Sequence, residues 1–298
     1  MTGHSKIAIW AKQTRANFLF LSILLVLIGA AAAHLDGTTQ VLRALLAAVG
    51  VVLAHVSVNL FNEYSDYLTG IDANTKKTPF SGGSGTLQQG LNKPGTVKKA
   101  AIGSLFIAFL IGLYLAAVST WYLLIPMVLG GVASVFYTSH LAKWALGELA
   151  AGLCLGTLVV IGTYIAITGT LTWPVVVLSV PPGILTAELL FLNEFPDMEA
   201  DMQGGRKHLV IRLGKARASI LYSAALALTY AVIGTALILH MLPAWCGLAF
   251  LTLPLAAKAG FTAVKHHDNF EKMIPAQGAN VITVLATDLL LAIGLFLA

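Results

Sequence analysis

Charged side chains are scarce in this chain of 298 residues. Only 10% of the residues are Asp, Glu, Lys or Arg, whereas 57% are hydrophobic. Soluble globular domains carry roughly 25% charged residues, so the composition excludes an ordinary soluble protein. We therefore expect an all-α, polytopic membrane protein.

Cysteine is also rare. Cys154 and Cys246 stand alone in apolar runs, without the paired spacing of a disulfide framework or of a cysteine-based metal site. We interpret both as small packing residues.

Long apolar runs, in contrast, recur along the whole chain. A transmembrane helix needs about 20 such residues, and nine runs qualify. We predict a bundle of nine transmembrane helices at residues 17–35, 40–64, 97–118, 120–139, 147–168, 173–195, 217–240, 243–263 and 277–297. The first is expected to be a span and not a cleaved leader.

The basic residues are distributed unevenly between the predicted loops. Sixteen of the 18 Lys and Arg fall at the N-terminus or in alternate loops, and the opposite loops carry none. The positive-inside rule then predicts a cytoplasmic N-terminus in the cell's inner membrane. The net charge of +5 is thereby explained by topology, so we expect membrane lipids as neighbours, no nucleic acid, and no protein partner.

The few acidic residues are concentrated in two short windows. Seven of the 13 acids lie there: Glu63, Asp66, Asp72, Glu194, Asp197, Glu199 and Asp201. Carboxylates in a membrane are costly and usually functional. Their oxygens are the ligands that hard divalent cations prefer, so two facing windows could hold such ions.

The spacing of the polar residues places each window on one helix face. His55, Asn59, Asn62 and Asp66 follow one another at intervals of three or four residues, and so do Asn193, Asp197 and Asp201. Both windows contain Asn-x-x-x-Asp. We therefore predict one membrane domain over residues 1–298, built from two related halves at roughly 15–140 and 141–298.

Acids that only cap helices or pair with surface Lys and Arg are the simpler alternative. These acids, however, are predicted at C-terminal helix ends, where the helix dipole disfavours negative charge. Basic and glycine-rich loops follow both windows: Lys76, Lys77 and Ser81–Gly85 after the first, and Gly204–Lys207 after the second. Cations and loop amides of this kind suit a phosphorylated ligand.

The motif Asn62-x-x-x-Asp66 with Asp72, together with Asp197-x-x-x-Asp201, resembles the two Asp-rich motifs of the UbiA superfamily of intramembrane prenyltransferases. The Asp72 spacing and the stretch Leu146-Gly147-Glu148 are most similar to the MenA branch, which prenylates 1,4-dihydroxy-2-naphthoate for menaquinone synthesis. Glu63 and Glu194 depart from the family pattern.

The resemblance implies a helical bundle around a central cavity that opens toward the cytoplasmic side. It also implies Mg²⁺ as cofactor, a polyprenyl diphosphate donor and an aromatic acceptor. The expected metal ligands are Asn62, Asp66, Asp72, Asn193, Asp197 and Asp201. The expected catalytic residues are Asp66, Asp72, Asp197, Asp201 and Tyr137, and the expected substrate contacts are Arg15, Asn59, Lys76, Lys77, Lys143, Arg206 and Lys207.

Several alternatives stay open at this point. The acceptor could be 4-hydroxybenzoate, homogentisate, chlorophyllide, haem or glycerol phosphate, and a secondary transporter also uses intramembrane acids. We expect Asp288 to form hydrogen bonds between helices. Glu188 is expected either to support the site or to line the acceptor pocket.

Overall fold

The apolar runs form helices in the computed structural model, which describes residues 5–136 and 141–298. Within these residues the chain is helical and contains no strand. The α-helices are α1 (Lys6–Gln13), α2 (Leu19–Leu35), α3 (Val41–Thr69), α4 (Ile71–Asn74), α5 (Pro94–Val118), α6 (Leu124–Phe136), α7 (Gly147–Ala150), α8 (Leu158–Thr168), α9 (Trp173–Gln203), α10 (Leu209–Leu213), α11 (Lys215–Ile238), α12 (Leu253–His266) and α13 (Phe270–Phe296).

Short segments of other helix types extend several of these. A 3₁₀ turn, Trp121–Leu123, precedes α6, and a longer 3₁₀ segment, Ala244–Thr252, precedes α12. A π-helical segment, Ala151–Thr157, joins α7 to α8, so that helix is continuous from Gly147 to Thr168.

Seven helices of the described chain are long and apolar enough to cross a membrane, and two shorter apolar helices, Leu19–Leu35 and Trp121–Phe136, accompany them. The predicted all-α membrane bundle is therefore confirmed, with nine as an approximate number of spans. The protein is an integral membrane protein.

Two helices extend further than predicted, and both extensions carry acids. We expected the second span to end near residue 64 and the sixth near 195, but α3 continues to Thr69 and α9 to Gln203. Gly70 ends α3 in the left-handed conformation, with φ of 75°. The Asn-x-x-x-Asp segments therefore lie at the C-terminal ends of long helices, as their spacing predicts, and Asp72 follows in α4.

Close approach between helices is made possible by glycine. A Cβ on Gly152 would lie 2.7 Å from the carbonyl oxygen of Gly183, and one on Gly156 would lie 2.6 Å from the Gly183 Cα. Small residues give membrane helices this contact where no hydrophobic force draws them together. It holds α9 against the α7–α8 helix and fixes the position of the second acidic motif.

Candidate active site

A large cavity extends into the bundle between α3, α5, α6, α8 and α9. Its volume is about 990 Å³, at the upper end of the range for small-molecule sites. Most of its wall is apolar. The charged and amide side chains that line it are Arg15, Asn59, Asn62, Asp66, Asp72, Asn193, Glu194, Asp197, Asp201 and Arg206.

Arg206 joins the two acidic motifs across this cavity. Its Nη1 donates to Asp201 Oδ1 at 3.0 Å, and its Nη2 donates to Asn62 Oδ1 at 2.9 Å and to Asp66 Oδ1. Asp66 is 140 residues away in sequence. The predicted meeting of the two motifs at one site is therefore present in the fold.

Asp72 lies against the glycine-rich loop. Its Oδ2 accepts a hydrogen bond from Gln88 Nε2 at 3.3 Å. A Cβ on Gly83, whose φ is 68°, would be only 2.3 Å from Asp72 Oδ1. Burial first, and then the negative charges of Asp66 and Glu63, raise the pKa of Asp72 to about 7.

Glu63 on α3 connects the segment that carries Gln13 and Arg15 to the glycine-rich loop that carries Ser84. The sequence did not reveal this structural role. It is fully buried and accepts hydrogen bonds from Arg15 Nη2 at 3.0 Å, from Gln13 Nε2 at 3.1 Å and from the Ser84 amide at 2.8 Å. The Ser84 hydroxyl also donates to it. These bonds from the side chains of Gln13, Arg15 and Ser84 and from one backbone N–H fix the segment before α2 and the glycine-rich loop to α3. The one feature of the sequence that singled out Glu63 was its departure from the family pattern.

Two further polar residues of α3 stabilise local structure beside the cavity. Asn59 Nδ2 donates to the carbonyl oxygen of Thr14 at 2.9 Å, so it supports the bend that carries Arg15. His55 Nδ1 is 2.8 Å from the Ser22 hydroxyl on α2. Both residues also line the cavity.

Three predicted diphosphate contacts do not line the cavity. The Lys76 ammonium lies 4.2 Å from the centre of the Phe270 ring. Lys77 Nζ would be 2.1 Å from a Cβ on Gly85, so this side chain packs against the glycine-rich loop. Lys207 is exposed. Each follows an acidic motif in sequence, but its side chain does not line the cavity, although the neighbouring residues Thr75 and Arg206 do.

Two other predicted residues cannot be placed. Tyr137 lies outside the described residues, and so does the side chain of Lys143. Their expected roles stay predictions.

The donor set at the polar end of the cavity suits a divalent cation. Asp197 Oδ1 is buried and has no hydrogen-bond partner among residues 5–136 and 141–298. Asn193 is present too, with its Oδ1 accepting from Gln277 Nε2 at 3.2 Å. Carboxylate and amide oxygens are the ligands that Mg²⁺ prefers in proteins, and here two helices supply them. The unpartnered Asp197 oxygen is free to coordinate such an ion.

Asp288 does not form the hydrogen bonds expected between helices. It is fully buried in α13, yet neither carboxylate oxygen has a partner in the described part of the chain. Asn280, two turns earlier, makes those bonds instead: its Oδ1 accepts from Tyr222 Oη at 2.9 Å, and its Nδ2 donates to the Glu188 carbonyl at 3.0 Å. An amide can donate and accept at once, which a carboxylate cannot.

The sequence profile of the UbiA prenyltransferase family matches residues 22–274, which include both acidic motifs and the cavity-lining helices α3, α5, α6, α8 and α9. The chain belongs to the UbiA prenyltransferase family. It is therefore a prenyltransferase, and the transporter alternative is set aside.

Relatives of known activity extend this membership over nearly the whole chain. The chain is 30% identical to the 1,4-dihydroxy-2-naphthoate octaprenyltransferase of Bacillus subtilis, over 96% of this chain and 91% of that protein. It is 28% identical to the Escherichia coli enzyme of the same name, over 99% and 97%. The predicted similarity to the MenA branch is confirmed.

Solved structures share the fold. An apo UbiA homologue from Aeropyrum pernix superposes with a TM-score of 0.71 at 20% identity, over 93% of this chain and 97% of that one. A UbiA homologue from Archaeoglobus fulgidus, bound to GPP and Mg²⁺, gives a TM-score of 0.64 at 13% identity, over 97% and 100%.

Proposed function

We propose that this UbiA-family protein transfers a polyprenyl group from a prenyl diphosphate to 1,4-dihydroxy-2-naphthoate, in a Mg²⁺-dependent reaction of menaquinone biosynthesis. The observation that carries the proposal is the meeting of the two acidic motifs, both bonded to Arg206, at the polar end of an apolar cavity. The activity of the Bacillus and Escherichia relatives supports the acceptor.

The acids would hold the metal and, through it, the diphosphate. Asn62, Asp66 and Asp72 are the proposed ligands from the first motif, and Asn193, Asp197 and Asp201 those from the second. When bound, Mg²⁺ would neutralise the diphosphate and so make it a better leaving group. The unpartnered oxygen of Asp197 supports this assignment.

Arginines are better placed than lysines to bind the diphosphate directly. Arg206 and Arg15 both line the cavity, and a guanidinium matches phosphate oxygens with paired N–H donors. To do so, Arg206 would exchange its carboxylate contacts for diphosphate oxygens. Lys76, Lys77 and Lys207 would contribute long-range positive charge, since their ammonium groups lie away from the cavity.

The apolar wall would bind the prenyl chain and exclude water. Phe106 and Phe109 on α5 and Val128 on α6 line the cavity and are about half exposed, so the proposed entrance for lipid lies between these two helices. As the allylic C–O bond breaks, its electron pair leaves with the diphosphate. Aromatic faces can stabilise the developing cation until the acceptor ring supplies the electrons for the new C–C bond. The ring would regain its aromaticity by losing the proton, or the carboxyl group as CO₂, from the attacked carbon.

The domain and its orientation complete the proposal. Both predicted halves, 15–140 and 141–298, contribute cavity residues, which supports one catalytic domain. The distribution of Lys and Arg supports a cytoplasmic N-terminus in the inner membrane. The diphosphate end of the cavity would then face the cytoplasm, where soluble substrates are available.

Purified protein reconstituted in lipid provides the test. With octaprenyl diphosphate and Mg²⁺, we expect 1,4-dihydroxy-2-naphthoate to be prenylated much faster than 4-hydroxybenzoate or homogentisate. If one of the other acceptors is consumed and the naphthoate is inert, the proposed acceptor is wrong, although the family remains.

Variants of the two motifs test the proposed metal ligands. Asp66→Asn and Asp197→Asn keep the side-chain shape but remove a charge, and each should reduce the rate about a thousandfold. Asp288→Asn, a buried change outside the cavity, is the control and should retain activity. Activity that survives in both motif variants would refute the assignment.

A further inference from the structure

Three ionisable side chains form a second cluster beside the second acidic motif. Glu148 lies on α7, Glu194 on α9, and His208 directly precedes α10. One ligand atom from each lies within 4.8 Å of the other two. Of the three, only Glu194 also lines the cavity.

All three residues are buried, with exposed fractions of 3%, 8% and 1% for Glu148, Glu194 and His208. Buried polar groups are normally satisfied by hydrogen bonds, and a buried group left without one destabilises the fold. In a buried cluster of this kind, each polar atom is therefore expected to have a hydrogen-bond partner.

Several polar atoms of the cluster have no such partner among the described residues. Glu148 Oε1 accepts from the Leu209 amide at 2.7 Å, but no N–H or O–H donor of another described residue reaches its Oε2 or Glu194 Oε2. The two carboxylates are close enough to share a proton when no cation lies between them. His208 Nδ1 is 3.5 Å from Glu194 Oε2, and its Nε2 is 3.2 Å from Asp201 Oδ2. Neither contact of the imidazole has hydrogen-bond geometry.

Charge also lacks compensation here. The carboxylates of Glu148, Glu194 and Asp201 surround a single imidazole. The nearby guanidinium of Arg206 is shared between Asp201 and the first acidic motif. A cation among these carboxylates would satisfy both the charge and the unpartnered oxygens.

We propose that Glu148, Glu194 and His208 bind one divalent transition-metal ion of the Zn²⁺ type, at a site separate from that of the diphosphate. One imidazole nitrogen and two carboxylates favour such an ion over Mg²⁺ or Ca²⁺, which prefer oxygen ligands alone. Nδ1 is the ligand atom of His208, because it faces Glu194.

Such an ion would also position a residue of the proposed active site. With Nδ1 bound to the metal, a small rotation of the His208 ring would let its Nε2–H donate to Asp201 Oδ2, which is now 3.2 Å away without hydrogen-bond alignment. That would give the carboxylate–histidine–metal arrangement common around protein-bound zinc. The ion would fix the segment after α9 against α7. This consequence for Asp201 rests on the proposed function, whereas metal binding itself does not.

Metal analysis of the purified protein tests the proposal. Protein stripped with a chelator and titrated with Zn²⁺, in the absence of any prenyl diphosphate, should bind one equivalent. Glu194→Gln and His208→Asn should each weaken binding at least tenfold. Co²⁺ in the same site should give a ligand-field spectrum that is lost in His208→Asn.

Two controls separate this site from its surroundings. Glu188→Gln removes another buried carboxylate of α9 outside the cluster, and Asp66→Asn alters the proposed diphosphate site. Both should keep the Zn²⁺ equivalent, while Asp66→Asn loses prenyl transfer.

The two proposals can fail independently. If the wild type binds no Zn²⁺, or if the cluster variants bind it as tightly as the wild type, the metal site is refuted, even where Mg²⁺-dependent transfer is observed. If Zn²⁺ binds as expected but no transfer occurs, the proposed function fails and the metal site remains. Should Glu194→Gln fail to fold, His208→Asn carries the test alone.

Discussion

Replacing Arg206 by glutamine removes a positive charge that contacts both acidic motifs. Without it, Asp66 and Asp201 lose an ion pair in a site where neither is more than a few per cent exposed. Breaking a buried pair costs about 3–5 kcal/mol. Because the Arg206 side chain is 15% exposed and glutamine can retain a hydrogen bond, we expect a loss of about 2–3 kcal/mol in metal-free protein.

The assay is thermal unfolding in detergent, with and without Mg²⁺. A loss of that size should lower the melting temperature of a chain of this length by about 3–5 °C. An ion that binds only the folded state stabilises it. In the variant, Mg²⁺ would not have to displace the guanidinium, so the rise in melting temperature on adding Mg²⁺ should be larger in Arg206→Gln than in the wild type.

Lys207→Gln is the matched control. It makes the same change of charge at the next residue, on an exposed side chain, and should alter neither the melting temperature nor the response to Mg²⁺. Equal behaviour of the two variants, or a Mg²⁺ response in Arg206→Gln no larger than in the wild type, would refute the reasoning.

Two further predictions concern Asp72. Gly83→Ala places a Cβ against its carboxylate and should weaken Mg²⁺ binding, whereas Gly90→Ala, with a similar φ of 67° and no atom within 4 Å, should not; equal effects on Mg²⁺ titrations would argue against the contact. Because its pKa is raised to about 7, protons compete with Mg²⁺ below that pH. The Mg²⁺ concentration for half-maximal activity should therefore fall as the pH rises from 6 to 8, and Asp72→Asn should reduce that slope; a half-saturation that does not change with pH would contradict it.

Hydropathy and spacing were enough to predict most of the architecture. The thickness of the bilayer fixes how long an apolar helix must be, and acids are rare enough in such helices to stand out. The meeting of Asp66 and Asp201 followed from two matching motifs at matching helix ends. The predicted apolar spans stop before the ends of α3 and α9 because the acids and amides lower the local hydropathy, whereas the three- and four-residue spacing of the same residues indicates that the helices continue.

Contacts between distant segments could not be predicted. Glu63 binds Gln13 and Ser84, which are 50 and 21 residues away, and no local pattern indicates that these three segments meet. Lys76 and Lys77 were assigned to the site by sequence proximity, but the direction of a loop side chain depends on turns that the sequence does not specify.

The same reason explains the Glu148, Glu194 and His208 cluster. Its members belong to separate elements, and no two of them are close to each other in sequence. Only the close packing of α9 on the α7–α8 helix places two of them together, and that packing depends on the glycines at the contact.

In the proposed active site, the two acidic motifs together bind divalent cations and the prenyl diphosphate. Crystals grown with Mn²⁺ and a non-reactive prenyl thiolodiphosphate would test it most directly, by anomalous scattering. We predict manganese peaks between the carboxylates of Asp66 and Asp197, in contact with the diphosphate, and their loss in Asp197→Asn. Manganese or diphosphate bound elsewhere, without contact to the carboxylates of Asp66 and Asp197, would contradict the proposed metal site.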